Sequence, residues 1–154
     1  MESIEQILKY WEADSEIDQT EPGKELLNIP KLHNKYLTIL TKHKMMAKKA
    51  HFDYLKMRKV KWEYYSGKMD QDELNKYGWE QFRYTLKSDI ITYLEADLDL
   101  IRLLEKKMIH EESVSVVEAI MNELKQRTWQ LKEYITWERF IGGQERRIDS
   151  NQGQ

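Results

Sequence analysis

Between Lys31 and Ser66 the sequence holds neither glycine nor proline, and its core-type residues recur in alternating steps of four and three. Leu32, Tyr36, Ile39, His43, Met46, Ala50, Asp53, Met57, Val60 and Tyr64 form this row, over five repeats. Such spacing holds one face of an α-helix against a neighbour turn after turn. It commits the segment to one long helix with coiled-coil-like packing, imperfect where His43 and Asp53 enter the seam. Leu37, Leu40 and Ala47 widen the apolar stripe. Pro30 suits the first helical position, where its missing N–H is not needed, and Gly67 supplies a left-handed cap at the far end.

The rest of the chain reads as helix too. Ile4, Ile7, Leu8 and Trp11 mark one face of a short helix over about residues 3–13. The acidic run from Asp14 to Gly23 reads as a linker, and Leu26, Leu27 and Ile29 as a brief turn. Lys68 to Gly78 is expected to be a loop or frayed turn. A second helix is expected from Thr85 to Met108, burying Leu86, Ile90, Leu94, Leu98, Ile101, Leu104 and Met108. After a connection at Ile109–Glu112, Ser115 and Glu118 fit a capping box opening a third helix, which Gly142-Gly143 should end. Its apolar positions include Val114, Val117, Ile120, Met121, Leu124, Leu131 and Ile135, with Trp129, Tyr134, Trp137 and Phe140 beside them. The fold class is all-α. The expected division is a helical region over 1–112, a C-terminal helix over 113–143, and a disordered polar tail over 144–154.

Composition narrows the function. Without cysteine there is no disulfide framework, thiol catalysis or zinc-thiolate site. Apolar runs of a few residues fall far short of a membrane span, and no signal peptide opens the chain, so an intracellular protein is expected. His33, His43, His51 and His110 lack ligand spacing, Glu95, Asp97 and Asp99 fan around a helix, and no glycine-rich phosphate loop occurs. No enzyme, cofactor or metal is expected.

Charge is distributed very unevenly. Residues 31–68 carry eleven Lys or Arg against Asp53 and Glu63, a local +9; with a chain total of −2, the remainder holds −11. A segment so basic seeks a polyanion or an acidic surface. Lys35, Lys42, Lys49 and Lys56 recur every seven residues and so share one stripe, extended by Lys31 and Lys59. The stripe is either a rail for phosphates or a solvated flank of the seam. Phe52, Tyr54, Trp62, Tyr64 and Tyr65 interleave with it; basic charge beside flat rings is what single-strand binders use, although rings at helical spacing also serve as core. Lys59 and Lys61 lie about 200° apart on a helix. Either the helix unwinds there or the two lysines face different subunits or grooves; lysines in a last turn also offset the helix dipole without any ligand.

Lys59-Val60-Lys61-Trp62-Glu63-Tyr64-Tyr65-Ser66-Gly67-Lys68, with Asp70, Asp72 and Glu73 after it, resembles the UvsY recombination mediators of tailed phages. Their pattern is a basic-x-basic pair, an acid, Tyr-Tyr-Ser-Gly, another base and an acidic turn. Ile17-Asp18-x-Thr20 and Leu124-Lys125-x-Arg127-x-Trp129-x-Leu131-Lys132 with Phe140 extend the likeness patchily from Ile4 to Gly143. The resemblance implies a non-enzymatic mediator, acting in the cytoplasm of the infected bacterial host. It would bind single-stranded DNA and load a phage recombinase onto strand coated by single-strand-binding protein. It would assemble as a ring-like homo-oligomer through its C-terminal helix, with no membrane partner.

On this reading Lys59 and Lys61 are the prime DNA contacts, joined by Lys56, Arg58, Lys68, Trp62 and Tyr65. Val117, Met121, Leu124, Leu131 and Ile135 are the oligomerisation positions, with the apolar seams driving assembly. The alternatives are a helical scaffold whose basic helix docks on an acidic partner, and a membrane-surface adaptor.

Overall fold

A computed structural model describes the backbone of residues 1–83 and 86–151, with side chains described through residue 143. Five helices follow in order: α1 Ile4–Ser15, α2 Pro22–Tyr65, α3 Gln71–Tyr77, α4 Ile90–Glu95 and α5 Leu98–Asn151. Among the described residues there is no strand. The chain divides into two compact units, residues 1–42 with 113–154, and residues 43–112. The C-terminal helix is therefore not a region apart from residues 1–112: it shares a unit with the first 42 residues.

In the first unit, Ser3 opens α1 with a capping box, its hydroxyl accepting from the Gln6 N–H while the Gln6 side chain accepts from the Ser3 N–H. Ile7 from α1, Leu32, Tyr36, Ile39 and Leu40 from α2, and Val117, Ile120 and Leu124 from α5 form one buried cluster. Over Leu32, Tyr36 and Ile39 the α2 seam is thus consumed inside its own chain rather than left open for assembly. The end of α1 is held by Arg127, whose guanidinium donates to the carbonyls of Asp14 (2.9 Å) and Ser15 (3.0 Å) and lies 5.2 Å from the Trp11 ring. Those carbonyls have no partner within the helix, so a buried cation at this negative end is favourable. This accounts physically for the Leu124-x-x-Arg127-x-x-x-Leu131 pattern: the two leucines fill the core and Arg127 locks α1.

The second unit contains the later part of α2, α3, α4 and the start of α5. Gly67, at φ 71°, ends α2 as expected; its N–H donates to the Tyr64 carbonyl and the Lys68 N–H to that of Glu63. The expected loop after it instead holds α3, opened by an Asp70–Glu73 capping box and closed by left-handed Gly78. Ile90, Leu94 and Leu100 are the buried cluster, packed by Tyr54, Met57 and Tyr65.

Other boundaries differ from the sequence reading. Pro30 lies inside α2, two turns past its start, and on the exposed side, where solvent can take the carbonyl its ring leaves unbonded. The helix expected to begin at Thr85, which is outside the described residues, is broken at Ala96–Asp97. The Asp97 carboxylate accepts from the Asp99 and Leu100 N–H groups and so caps α5 instead of continuing α4. The break resets the helical phase: Leu100 turns inward, while Leu98, Leu104 and Met108 are exposed; Leu86, ahead of the start of α4 at Ile90, is exposed as well. No connection interrupts 109–112, and α5 continues through Gly142-Gly143 to Asn151, not into a disordered tail from 144. Nothing lies within 4 Å of where a side chain at either glycine would sit, and neither adopts positive φ. They weaken the helix without stopping it.

Candidate nucleic-acid interface

Because α2 stays helical to Tyr65, Lys59 and Lys61 must point in nearly opposite directions. Lys59 points outward, its side chain 78% exposed and 3.8 Å from Glu63 one turn on. Lys61 points into its own unit, its side chain 8% exposed. Its ammonium lies 3.0 Å from Asp97, 2.7 Å from Asp99 and 4.3 Å from the centre of the Trp79 ring. The helix neither unwinds nor turns the two lysines toward separate grooves. Lys61, expected to contact phosphate, is already neutralised by two carboxylates and covered by an indole.

Asp97 is the hub of this cluster. One carboxylate oxygen caps α5, while the other accepts from the Tyr65 hydroxyl at 2.7 Å and from Lys61. Burial works against ionisation of Asp97, but the Tyr65 and Lys61 hydrogen bonds and the Leu100 N–H outweigh it and lower its pKa. Burial likewise opposes charge on Lys61, and the Asp99 and Asp97 bonds overcome it, so its pKa is raised. For Tyr65, burial and then donation to Asp97 push the phenol up. The Tyr65 ring stacks on Tyr93 at 5.5 Å and meets Tyr64 and Phe82 edge-on at 5.1 Å. Tyr65 is therefore occupied by its own unit rather than open to stack on a base. Asp97, Asp99 and Trp79 were not singled out from sequence as positioning residues. The available signal was an Asp two residues before an apolar run, the pattern of a helix cap.

The remaining expected contacts are open. Lys56, Arg58, Lys59 and Lys68 are exposed, as is Trp62, which retains 39% of its accessible surface. The Lys68 ammonium sits 4.3 Å above the Trp62 ring, so an indole face and a cation already share one place at the end of α2. Arg58 lies on a different flank, lining a hollow with Glu95 and Ile91. The regular lysine stripe is split. Lys35 pairs with Asp14 at 2.6 Å and Lys42 with Glu2 at 3.8 Å, both on the α1 side of the first unit. Lys49 and Lys56 have no acidic partner among the described residues.

The expected oligomerisation positions fall into two groups. Val117 and Leu124 are 0% exposed and Leu131 is buried, so these three have no surface to offer a second copy. Met121 and Ile135 are half-buried. Beyond Ser113 the open apolar residues of α5 are Trp129, Trp137, Phe140 and Ile141, with Trp137 and Phe140 stacked at 5.9 Å; Leu98, Leu104, Met108 and Ile109 are exposed nearer its start. The apolar row was read as an assembly face, whereas α1 and α2 already cover Val117 and Leu124, with Met121 packed against the same cluster.

Among the described residues no group of three or more His, Asp or Glu could hold a metal ion, and no helix is long and apolar enough to cross a membrane. His43 and His110 do meet, Nδ1 to Nδ1 at 3.1 Å.

No curated protein matches this chain. Three crystal structures of the bacteriophage T4 recombination mediator protein UvsY share its fold. Lattice type II superposes with a TM-score of 0.79 at 22% identity, covering 92% of this chain and 99% of that one. Lattice type I gives 0.75 at 23%, covering 87% and 97%, and lattice type IV gives 0.76 at 19%, covering 91% and 99%. The family model described as "Recombination, repair and ssDNA binding protein UvsY" matches residues 10–144. With that match over most of its length, the chain belongs to the UvsY family of recombination and repair proteins.

Proposed function

We propose that this protein binds single-stranded DNA through the outward side of the end of α2, and that it acts as a recombination mediator. The observation that carries the reading is the exposed group of Lys59, Trp62 and Lys68, lying within the block that resembles the family pattern. Cations supply sequence-independent attraction to phosphates, and an open indole supplies a surface for an unstacked base. Duplex DNA hides its base faces, so this pairing of groups favours single strands. Mediation here means helping a phage strand-exchange recombinase load onto strand coated by single-strand-binding protein, in the cytoplasm of the infected host, without catalysis by the mediator.

Self-association belongs to the same proposal. The open row of Trp129, Trp137, Phe140 and Ile141 on α5 is apolar surface that a second copy could cover. An oligomer would multiply a weak strand site into a tight one. Fluorescence polarisation with labelled single-stranded DNA, duplex DNA and anionic vesicles tests the reading. Tight, salt-sensitive binding to the single strand is expected. Preference for vesicles, or no binding to any nucleic acid, would refute it and favour a docking role for the basic helix.

A further inference from the structure

Opposite the buried side of α2, a second regular row runs upstream from Trp62. Residues 48, 52, 55, 59 and 62 follow steps of four and three, which places Lys48, Phe52, Leu55, Lys59 and Trp62 along one outward face; Lys49 and Lys56 flank it. Phe52 is 59% exposed and Leu55 is exposed beside it, an unusual amount of apolar surface on a helix otherwise studded with cations. Lys48, Lys49 and Lys56 are exposed and have no acidic partner among the described residues. Two acids fall between residues 45 and 63: Glu63 lies near Lys59, and half-buried Asp53 lies one turn from both Lys49 and Lys56 without an ion pair to either, so cations still outnumber acids along this side. The Phe52 ring also walls a cavity of about 220 Å³, with Lys48 and His51 on one side and Lys107 and Glu111, paired at 3.4 Å, on the other.

We propose that this face continues the single-strand track upstream, with Phe52 as a second base-stacking platform and Lys48, Lys49 and Lys56 as phosphate contacts. The inference rests on the single-strand reading above and adds the path of the strand. The net charge selects a polyanion. Exposed rings at Phe52 and Trp62, ten residues or about 15 Å apart, select one whose bases are free to stack. A duplex presents only phosphates to a convex helix, which would leave Phe52 and Trp62 in water. The cavity beside Phe52 gives a base a concave seat on an otherwise convex surface.

The test uses the full chain and a labelled thymidine oligonucleotide over a salt series, with sedimentation run in parallel. Phe52→Ala should weaken single-strand binding on the order of tenfold with an unchanged salt slope, and Phe52→Trp should restore it. Lys48→Ala with Lys49→Ala should lower the slope of log affinity against log salt by about 1.4, two contacts at about 0.7 each. Failure of the unaltered protein to bind the oligonucleotide overturns both this inference and the single-strand reading. If Lys59→Ala and Trp62→Ala weaken binding while the Phe52 and Lys48–Lys49 variants bind normally, only the upstream track is overturned. A smaller assembly for Phe52→Ala also overturns it, because the ring would then face another copy of the chain.

Discussion

Replacing Lys61 by methionine separates structure from DNA contact at the basic pair. The change keeps an unbranched stem against Trp79 and removes the cation from Asp97, whose side chain is 4% exposed. Removing one partner of a buried ion pair costs about 3–5 kcal/mol. Asp97 would keep the Tyr65 hydroxyl at 2.7 Å and two N–H groups at 3.0 and 3.1 Å, and Asp99 is open enough to turn to solvent, so the lower end, about 3 kcal/mol, applies. At roughly 2–4 °C per kcal/mol for a chain of this size, the melting temperature should fall by roughly 6–12 °C. Lys59→Ala removes an exposed cation and a long ion pair, worth under about 0.5 kcal/mol, and should melt with the unaltered protein. The two variants should exchange places in DNA binding. Below its melting point Lys61→Met should keep the salt slope, whereas Lys59→Ala should lose about 0.7 of it. Circular dichroism melts and a polarisation salt series provide both readings. A Lys61→Met variant that melts normally and loses about 0.7 of slope would refute the structural role.

Four further outcomes follow from these and other contacts of the fold. The Asp97 pKa lies below its ordinary value near 3.9, so its contribution to stability is present above that value and is lost as pH falls through the lowered one; Asp97→Asn should flatten the decline in melting temperature below about pH 4. Arg127→Ala leaves the Asp14 and Ser15 carbonyls without their buried donor and should cost about 2 kcal/mol, read by urea unfolding, without altering the salt slope of DNA binding. Trp137→Ala with Phe140→Ala should give a smaller species by ultracentrifugation while helix content is kept; truncation after Ser113 should instead unfold the first unit, because Val117, Ile120 and Leu124 supply its core.

The all-α class and the inward side of α2 were legible because both are local. Leu32, Tyr36, Ile39, His43 and Ala50 repeat at helical spacing, and each is buried; Gly67 sits where a left-handed cap was expected. The covering of that side was not legible, since it depends on tertiary contact with α1, 25 to 33 positions away, and α5, 77 to 92 positions away. The same holds for Lys61, whose carboxylate partners lie thirty-six and thirty-eight positions away. The spacing of Lys59 and Lys61 did reveal that they could not serve one surface; only tertiary contact shows that the second serves none. Pro30 and Gly142-Gly143 were overweighted as boundaries. Each residue is an energetic penalty to a helix, not a veto, when the backbone can stay in helical geometry. The hidden break at Asp97 is the converse case, in which a side chain competes with the helix for backbone N–H groups.

Ultraviolet crosslinking of a thymidine oligonucleotide to the full chain, with the attached residues located by mass spectrometry, tests the central claim most directly. The strand should attach within residues 45–68, at Trp62 above all, and not at the sheltered Tyr65. Crosslinks confined to Trp129, Trp137 and Phe140 on the C-terminal helix would contradict the account, placing DNA on the surface assigned here to self-association.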